Sequence, residues 1–577
     1  MNDYVLGIHD GHNASAALVE GGDLIFAVQE ERLVGRKNFY GFPVEAVRAC
    51  LSFAGIEPAD VSHIALASLR QTPARHRSYD QLAVVRRESS LSGFLWRGLV
   101  WYPVYRYGRD LGWRERKASL RALGFSAERC RRYEHHLVHA ATAYFGMRED
   151  ASTPYLVITM DGFGDVSSCT VWIGENGKLT LVSRTPFTSS LGSIYANTTG
   201  ILGFTPQEHE YKLMGMAAYV PDEDAQRAAE QFCRLIDVDE DQLVIRRSTF
   251  EPTFSQQRRL QQIIGEMRFD SVCAGVQVAC ERILAKFVRA AIRRTGIRRV
   301  LCAGGVFMNV KANKVVMELP EVDYLAIPPS CGDESMSLGA AWYDCVSRGR
   351  VPADAVKPLH SPYLGPDVSQ ADADAVVKAS GHEYSRPPDI ETEVARLLAA
   401  GEPIARCAGR LEFGARALGN RSIIADPINQ DVVRVINRMV KKRDFWMPFA
   451  PVVSRARMHE YIKNPKNLPS PYMMLSFDTK ENFRHLIAAV HNADLTARVQ
   501  ILPEDQNPAF TRILDAFAAV TQRGALLNTS FNLHGHPIVR GPAEAMAVFN
   551  NSGLTHLVLG PYLLHKRPIA EDRALPR

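Results

Sequence analysis

A chain of 577 residues is too long for a single hydrophobic core, and two or three domains are expected. With 46% hydrophobic and 23% charged residues it has an ordinary globular composition, and a formal charge of +5 over this length gives no electrostatic ground for nucleic-acid binding. No stretch approaches the ~20 uninterrupted apolar residues of a membrane span, no signal-peptide pattern precedes Tyr4, and the 10 cysteines contain no Cys-x-x-Cys pair, so a cytosolic chain without a zinc knuckle or disulfide framework is expected.

In chain order, Tyr4 to Val28 reads as strand, polar turn (His9-Asp10-Gly11-His12-Asn13), strand, Gly21-Gly22 hairpin and strand, every break falling at a turn residue. In the stretch from Leu51 to Arg132, the segment Phe94 to Arg114 interleaves aromatics with arginines. Such a segment could stack on sugars or bases or rest on a membrane surface, or pack its rings inward with the guanidinium groups wet. It is our candidate for part of an acceptor site. The stretch Glu134 to Tyr144 has no Gly or Pro and reads as a helix, placing His135 and His139 at i, i+4 on one face, where both can reach one metal ion; His136 points elsewhere. The pair alone also describes core or surface histidines.

Tyr155 to Met160 reads as a strand that ends in Asp161-Gly162, and the following residues repeat the N-terminal order: strand, Asp-Gly turn, strand, Asn176-Gly177 hairpin, strand. Two such units resemble the actin, hexokinase and Hsp70 superfamily, whose duplicated turns face each other across a nucleotide cleft. Cys273 to Arg294 has helical spacing. Arg299 to Asn309 is a strand running into Gly304-Gly305 and a helix, a turn that suits an anion or the close approach of a flat ring. Asp333 precedes a helix from Ser335 to Val346, where a helix cap is its plain structural role.

A Pro-rich connector follows, and the expected organisation is a first domain over residues 1–355, a linker and start of the second domain over 356–385, and a second domain over 386–577. The second domain opens with a helix around Glu391 to Ala400. Its distinctive runs are Arg410 to Ser422, Asn437 to Pro451 and Leu526 to Asn532; arginines among glycines suit planar recognition of phosphate, and a solvated basic face is the alternative.

Together His12-Asn-Ala-Ser-Ala-Ala17, Glu30-Glu-Arg32 with Lys37, His135-His-Leu-Val-His139-Ala, Asp161-Gly, Lys212-Leu-Met-Gly-Met-Ala217, Gly304-Gly-Val, Asp333 to Ala341, Gly414-Ala-Arg-Ala-Leu-Gly-Asn-Arg421-Ser, Pro448-Phe-Ala-Pro451 and Asn528-Thr-Ser-Phe-Asn532 resemble, over nearly the whole chain, the O-carbamoyltransferases of nodulation, cephamycin and tobramycin biosynthesis. The resemblance implies an α/β protein with a duplicated actin/Hsp70-like, Kae1-like N-terminal domain and a YrdC-like α/β C-terminal domain. It implies that ATP, with Mg(II), and carbamoyl phosphate give carbamoyladenylate, and that the carbamoyl group then passes to a hydroxyl of a natural product or saccharide. Carried onto matching positions, His135, His139, Asp161 and Asp333 are similar to the ligands of Fe(II) or another divalent ion, and His12 to a general base. Asn13, Lys37, Gly162, Gly304, Gly305 and Asn309 are candidates for carbamoyladenylate, and Arg416, Arg421, Arg443, Arg498 and Asn528 for ATP and carbamoyl phosphate. Met447 stands where relatives can carry an arginine, so one phosphate contact is either missing or supplied by Lys441, Lys442 or Arg443. The competing readings are a tRNA threonylcarbamoyl-type transferase, disfavoured by the modest charge, and a non-catalytic actin-like ATP-binding protein, which gives no reason for two histidines and two carboxylates to meet.

Overall fold

The duplicated strand pattern folds into two five-stranded sheets of the same topology. A computed structural model describes residues 3–70, 112–428, 430–437, 444 and 446–566. The first sheet joins β1 (Tyr4–His9), β2 (Ser15–Glu20), β3 (Asp23–Gln29), β4 (Val61–Ala67) and β5 (Cys130–Tyr133) in the order β3-β2-β1-β4-β5. The second joins β6 (Tyr155–Gly164), β7 (Ser167–Glu175), β8 (Lys178–Pro186), β11 (Arg299–Ala303) and β12 (Tyr324–Ala326) in the order β12-β11-β6-β7-β8, with the short hairpin β9 (Ile236–Asp239) and β10 (Val244–Arg247) apart from it. In each, a three-stranded antiparallel meander is followed by two parallel strands. Hairpin turns connect the antiparallel strands, whereas the parallel ones need crossovers.

Two helices, His135–Met147 and Met336–Ser347, lie between these sheets. A core joins Val5, Ala17 and Ala65 of the first sheet, Val157 and Leu301 of the second, and Val138, Ala141, Leu338 and Trp342 of the helices. Small residues allow this close stack. A Cβ on Gly339 would run into Val138 O and Thr142 Oγ1, and one on Gly7 into Ser337 O. Thr142 Oγ1 also donates to Ser335 O at 3.0 Å, tying the two helices at the end that carries the candidate ligands.

The third sheet comprises β13 (Glu383–Ser385), β14 (Ile404–Cys407), β15 (Arg421–Ala425), β16 (Ala450–Ser454), β19 (Gln500–Leu502), β20 (Ala525–Ser530), β21 (His556–Leu559) and β22 (Tyr562–His565), ordered β13-β22-β21-β14-β15-β20-β16-β19. A separate pair, β17 (Phe477–Asp478) and β18 (Thr496–Ala497), precedes β19. The outer face of the second sheet shares one core with Met458, Tyr461, Met474, Phe477 and Val499, so the later part of the chain closes the earlier part. Lys466 Nζ reinforces this seam by donating to the carbonyls of Met317, Leu319 and Val322 at 2.6–2.7 Å. No described helix is long and apolar enough to cross a membrane.

Candidate functional site

Four side chains from three places in the chain meet at one point. Glu134 caps the His135 helix through Leu137 N, and helical spacing then stacks His139 over His135, with Nε2 atoms 3.1 Å apart. The irregular end of β6 delivers Asp161, and a single 3-10 turn before the Met336 helix delivers Asp333. His135 Nε2 is 3.4 Å from Asp161 Oδ2 and 3.5 Å from Asp333 Oδ1; His139 Nε2 is 3.3 Å from each. Asp333 makes no cap hydrogen bond, so the plain structural role is not the one it plays.

These separations fit a shared divalent ion. Donors bound ~2.1 Å from one centre lie ~3.0 Å apart along an octahedral edge and ~3.4 Å along a tetrahedral one. Both imidazoles are buried while both carboxylates are partly exposed, which leaves an approach from the cleft. Asp333 Oδ1 is buried with no hydrogen-bond partner among the described residues, an acceptor that a bound cation would satisfy. Burial would lower the pKa of His135, but the Asp333 and Asp161 carboxylates outweigh it and hold the value at about 9. Burial would raise Asp161, yet His135 and His139 keep it well below the carboxylate range. The cluster is therefore a strong cation trap, which without an ion takes up a proton.

The surrounding bonds orient the ligands. Ser68 Oγ lies 3.1 Å from His135 Nδ1, which turns Nε2 toward the cluster. The Asp165 carboxylate accepts from the backbone N–H groups of Leu69, Arg70 and His135 at 2.9 Å, fastening the end of β4 to the start of the His135 helix. His136 is turned away, its Nδ1 2.7 Å from Thr159 Oγ1.

His12 stands in the β1–β2 turn, partly exposed. Burial lowers its pKa below 6.5, and the carboxylates of Asp333 and Asp161 pull the other way, which places it beside the cluster. Asn13, in the left-handed region at φ 56, has a buried Oδ1 without a partner among the described residues. Lys37 reaches Glu208 at 2.6 Å. Gly162 N donates to Asp161 Oδ1 at 2.6 Å. Gly304, at φ 100, takes a backbone shape suited to glycine, and its N–H donates to Cys331 O at 2.7 Å; a Cβ there would strike the Met160 backbone, and one on Gly305 would come 2.8 Å from Asp161 Oδ1. Asn309 caps the helix Val310–Glu318 and exchanges hydrogen bonds with Gln277, so its amide is already engaged within the protein.

The candidates from the later part of the chain divide. The loop before β15 folds around Glu412, whose Oε1 accepts from the N–H groups of Leu418, Asn420 and Arg421. It inserts into the earlier part of the chain: Arg32 donates to Gly414 O at 2.8 Å, and a Cβ on Gly414 would meet Pro329 O and Ser330 Cβ at 3.0 and 3.1 Å. Arg416 is carried to the Cys331–Glu334 turn, with its buried Nε unpartnered among the described residues; burial lowers its pKa. Arg421 is a correction. Its guanidinium is fully buried and donates to the carbonyls of Ala408, Gly409, Asn420 and Arg540, so it holds the loop's shape and has no face for a phosphate. Asn528 Nδ2 donates to Ala417 O and Gln500 Oε1, while its Oδ1 is buried and unpartnered among the described residues. Arg498 is half-buried between β18 and β19. Arg443, with Lys441 and Lys442, and the aromatic run up to Leu111 lie outside the described residues. Met447 packs toward Gly215 of the helix Glu210–Ala217, where its Sδ would be 2.9 Å from an added Cβ.

Sequence reasoning passed over His9, Ser68, Asp165 and Glu208. His9 is the one a pattern could have shown, since His9-x-x-His12 puts two imidazoles in one turn; the others are recruited from distant segments. A cleft of about 910 Å³ at the junction of Leu24, Leu359, Ile390 and Pro508 includes none of the four clustered ligands in its lining.

Residues 4–342 match the model of the carbamoyltransferase N-terminus and residues 395–566 that of the carbamoyltransferase C-terminus. The chain belongs to the O-carbamoyltransferase family. Nodulation protein NolNO of Sinorhizobium fredii is 31% identical over 97% of this chain and 80% of its own length. Nodulation protein NolO of Bradyrhizobium diazoefficiens is 33% identical over 75% of this chain and 79% of its own. An uncharacterized protein of Synechocystis is 29% identical over 96% and 95%. This carbamoyltransferase thus joins its cluster of imidazoles and carboxylates to an enzyme class that moves a carbamoyl group.

Proposed function

We propose that the carbamoyltransferase makes carbamoyladenylate from ATP and carbamoyl phosphate in a YrdC-like C-terminal domain beginning near residue 386, and that a Kae1-like, actin-related N-terminal domain passes the carbamoyl group to a hydroxyl of a sugar or other natural product. The observation that supports this best is the meeting of the Arg416 loop with the turn that carries Asp333. It brings a cationic side chain of the second domain to the edge of the ligand cluster in the first, where an adenylate made on one side could be used on the other.

Adenylate formation consumes one water and releases phosphate and pyrophosphate. In transfer, the acceptor oxygen attacks the carbonyl carbon, the bond from that carbon to the phosphoryl oxygen breaks, and AMP leaves with the electron pair. The acceptor proton goes to His12. An imidazole whose pKa lies below 6.5 is neutral at pH 7 and able to take it. Asn13, Gly162, Gly304 and Gly305 line the route to the carbonyl and the adenylate, and Arg416, Arg498 and Asn528 are assigned to the polyanionic substrates. His135, His139, Asp161 and Asp333 would hold Fe(II) or a similar ion, which supplies charge neutralisation for an anionic ligand. Incubation with ATP, Mg(II) and carbamoyl phosphate, followed by mass spectrometry, should show carbamoyl-AMP and pyrophosphate only when carbamoyl phosphate is present. ATP turnover indifferent to carbamoyl phosphate would overturn the scheme.

A further inference from the structure

Several contacts fasten the turn that carries His12, and one of them comes from a second histidine. His9 closes β1 and is 2% exposed. Its Nε2 lies 3.0 Å from the carbonyl oxygen of His12 and 3.9 Å from Asp333 Oδ2, the second beyond hydrogen-bond reach. A carbonyl oxygen can only accept, so Nε2 carries the hydrogen. His9 Nδ1 is buried without a hydrogen-bond partner among the described residues. The imidazole therefore spends its donor on the backbone of the residue read as the general base, across Asp10 and Gly11, while its ring stands against the ligand turn of Asp333.

The other fastenings hold the same turn from different sides. Asp10 forms a two-pronged pair with Arg116 at 2.7 and 2.8 Å, and Arg116 also donates to Ser68 O at 3.0 Å. Ser15, at the start of β2, donates to Glu334 O at 2.6 Å and bonds Ser337 Oγ at 2.8 Å. Ser15 and Asp10 fix where the turn begins and ends. Its middle is held by the His9 bond to His12 O on one side and by the Phe39–Gly41 segment on the other, which bridges His12 through Tyr40 and donates from Gly41 N to Gly11 O at 3.4 Å.

We infer that His9 is a positioning residue: its Nε2–H to His12 O bond sets the height of the His12 imidazole over the Asp161–Asp333 cluster. The catalytic meaning rests on His12 as the base; the geometry does not. Glutamine places an amide nitrogen near the reach of Nε2, whereas asparagine stops near Nδ1 and cannot span to the carbonyl. Both are polar, so a role in filling or hydrating the site predicts that they behave alike.

The test reads His12 directly, in the full-length protein. His12 carbethoxylation by diethyl pyrocarbonate is followed by peptide mass spectrometry, and ring signals by NMR of ¹⁵N-histidine-labelled protein, for wild type, His9→Asn and His9→Gln. The expected result is a wild-type His9 in the Nε2–H tautomer, His12 modified at least about fivefold faster in His9→Asn with shifted ring signals, and His9→Gln within about twofold of wild type. Equal His12 reactivity in all three proteins, or a glutamine variant that matches the asparagine one, would overturn the inference. Failure of the base is separable: a His12→Ala protein that transfers carbamoyl groups at the wild-type rate removes His12 from the chemistry and leaves the His9 measurements standing.

Discussion

At the residue scale the site is governed by a contest between burial and charge. His139 is fully buried; desolvation pulls its pKa down, and Asp161 and Asp333 raise it. Removing it leaves two carboxylates and one imidazole for the ion, so His139→Ala should lower bound metal, measured by elemental analysis, and carbamoyl transfer together. Normal metal content with full activity would remove it from the ligand set. The His135 value of about 9 has a further consequence, because the metal-free cluster carries a proton below that pH. An incoming cation must displace it. Calorimetric titration with a divalent metal at pH 7 in buffers of different ionisation enthalpy should show proton release, and affinity should rise with pH until about 9. An affinity flat between pH 7 and 9 would contradict the proton-loaded cluster.

At the element scale, the important objects are turns held by buried carboxylates. Asp165 gathers three backbone N–H groups, Glu412 gathers three more, and Asp10 takes both prongs of Arg116, whose exposure is 1%. Breaking a buried pair by removing one partner costs about 3–5 kcal/mol, because the other charge stays behind in a medium that solvates it poorly. Arg116→Met should therefore lower stability by about 3–5 kcal/mol in urea unfolding, with the Asp10 turn loosened. A change under about 1 kcal/mol would mean that water reaches Asp10 when the guanidinium is gone.

At the scale of the whole molecule, the second sheet is covered on one face by residues from both halves of the chain, including Val272 and Ile283 on one side and Met458, Met474 and Phe477 on the other. The Arg416 loop and Lys466 add polar ties across the same boundary. Shared core of this kind couples unfolding, since neither half can open without exposing apolar surface of the other. Calorimetry of the full chain should show one main transition, displaced upward by metal that binds only the folded state. Two well-separated transitions would show that the seam is weaker than its packing implies.

The duplicated sheets were legible because antiparallel meanders with tight turns write themselves locally: short continuous apolar runs, then Gly21-Gly22 or Asn176-Gly177. The His135–His139 pair was legible for the same reason, since helical spacing alone puts i and i+4 on one face. What brings Asp161 and Asp333 to those histidines is not local, because their meeting depends on two sheets sandwiching two helices whose glycines permit the approach. The tertiary structure also separated Arg416 from Arg421. Five residues apart in one motif, they look alike as sequence, but the loop around Glu412 sends Arg416 to the ligand turn and folds Arg421 inward onto main-chain carbonyls. Residue type determined which chemistry the chain could hold, and packing decided which side chains are left with donors and acceptors to spend on a substrate.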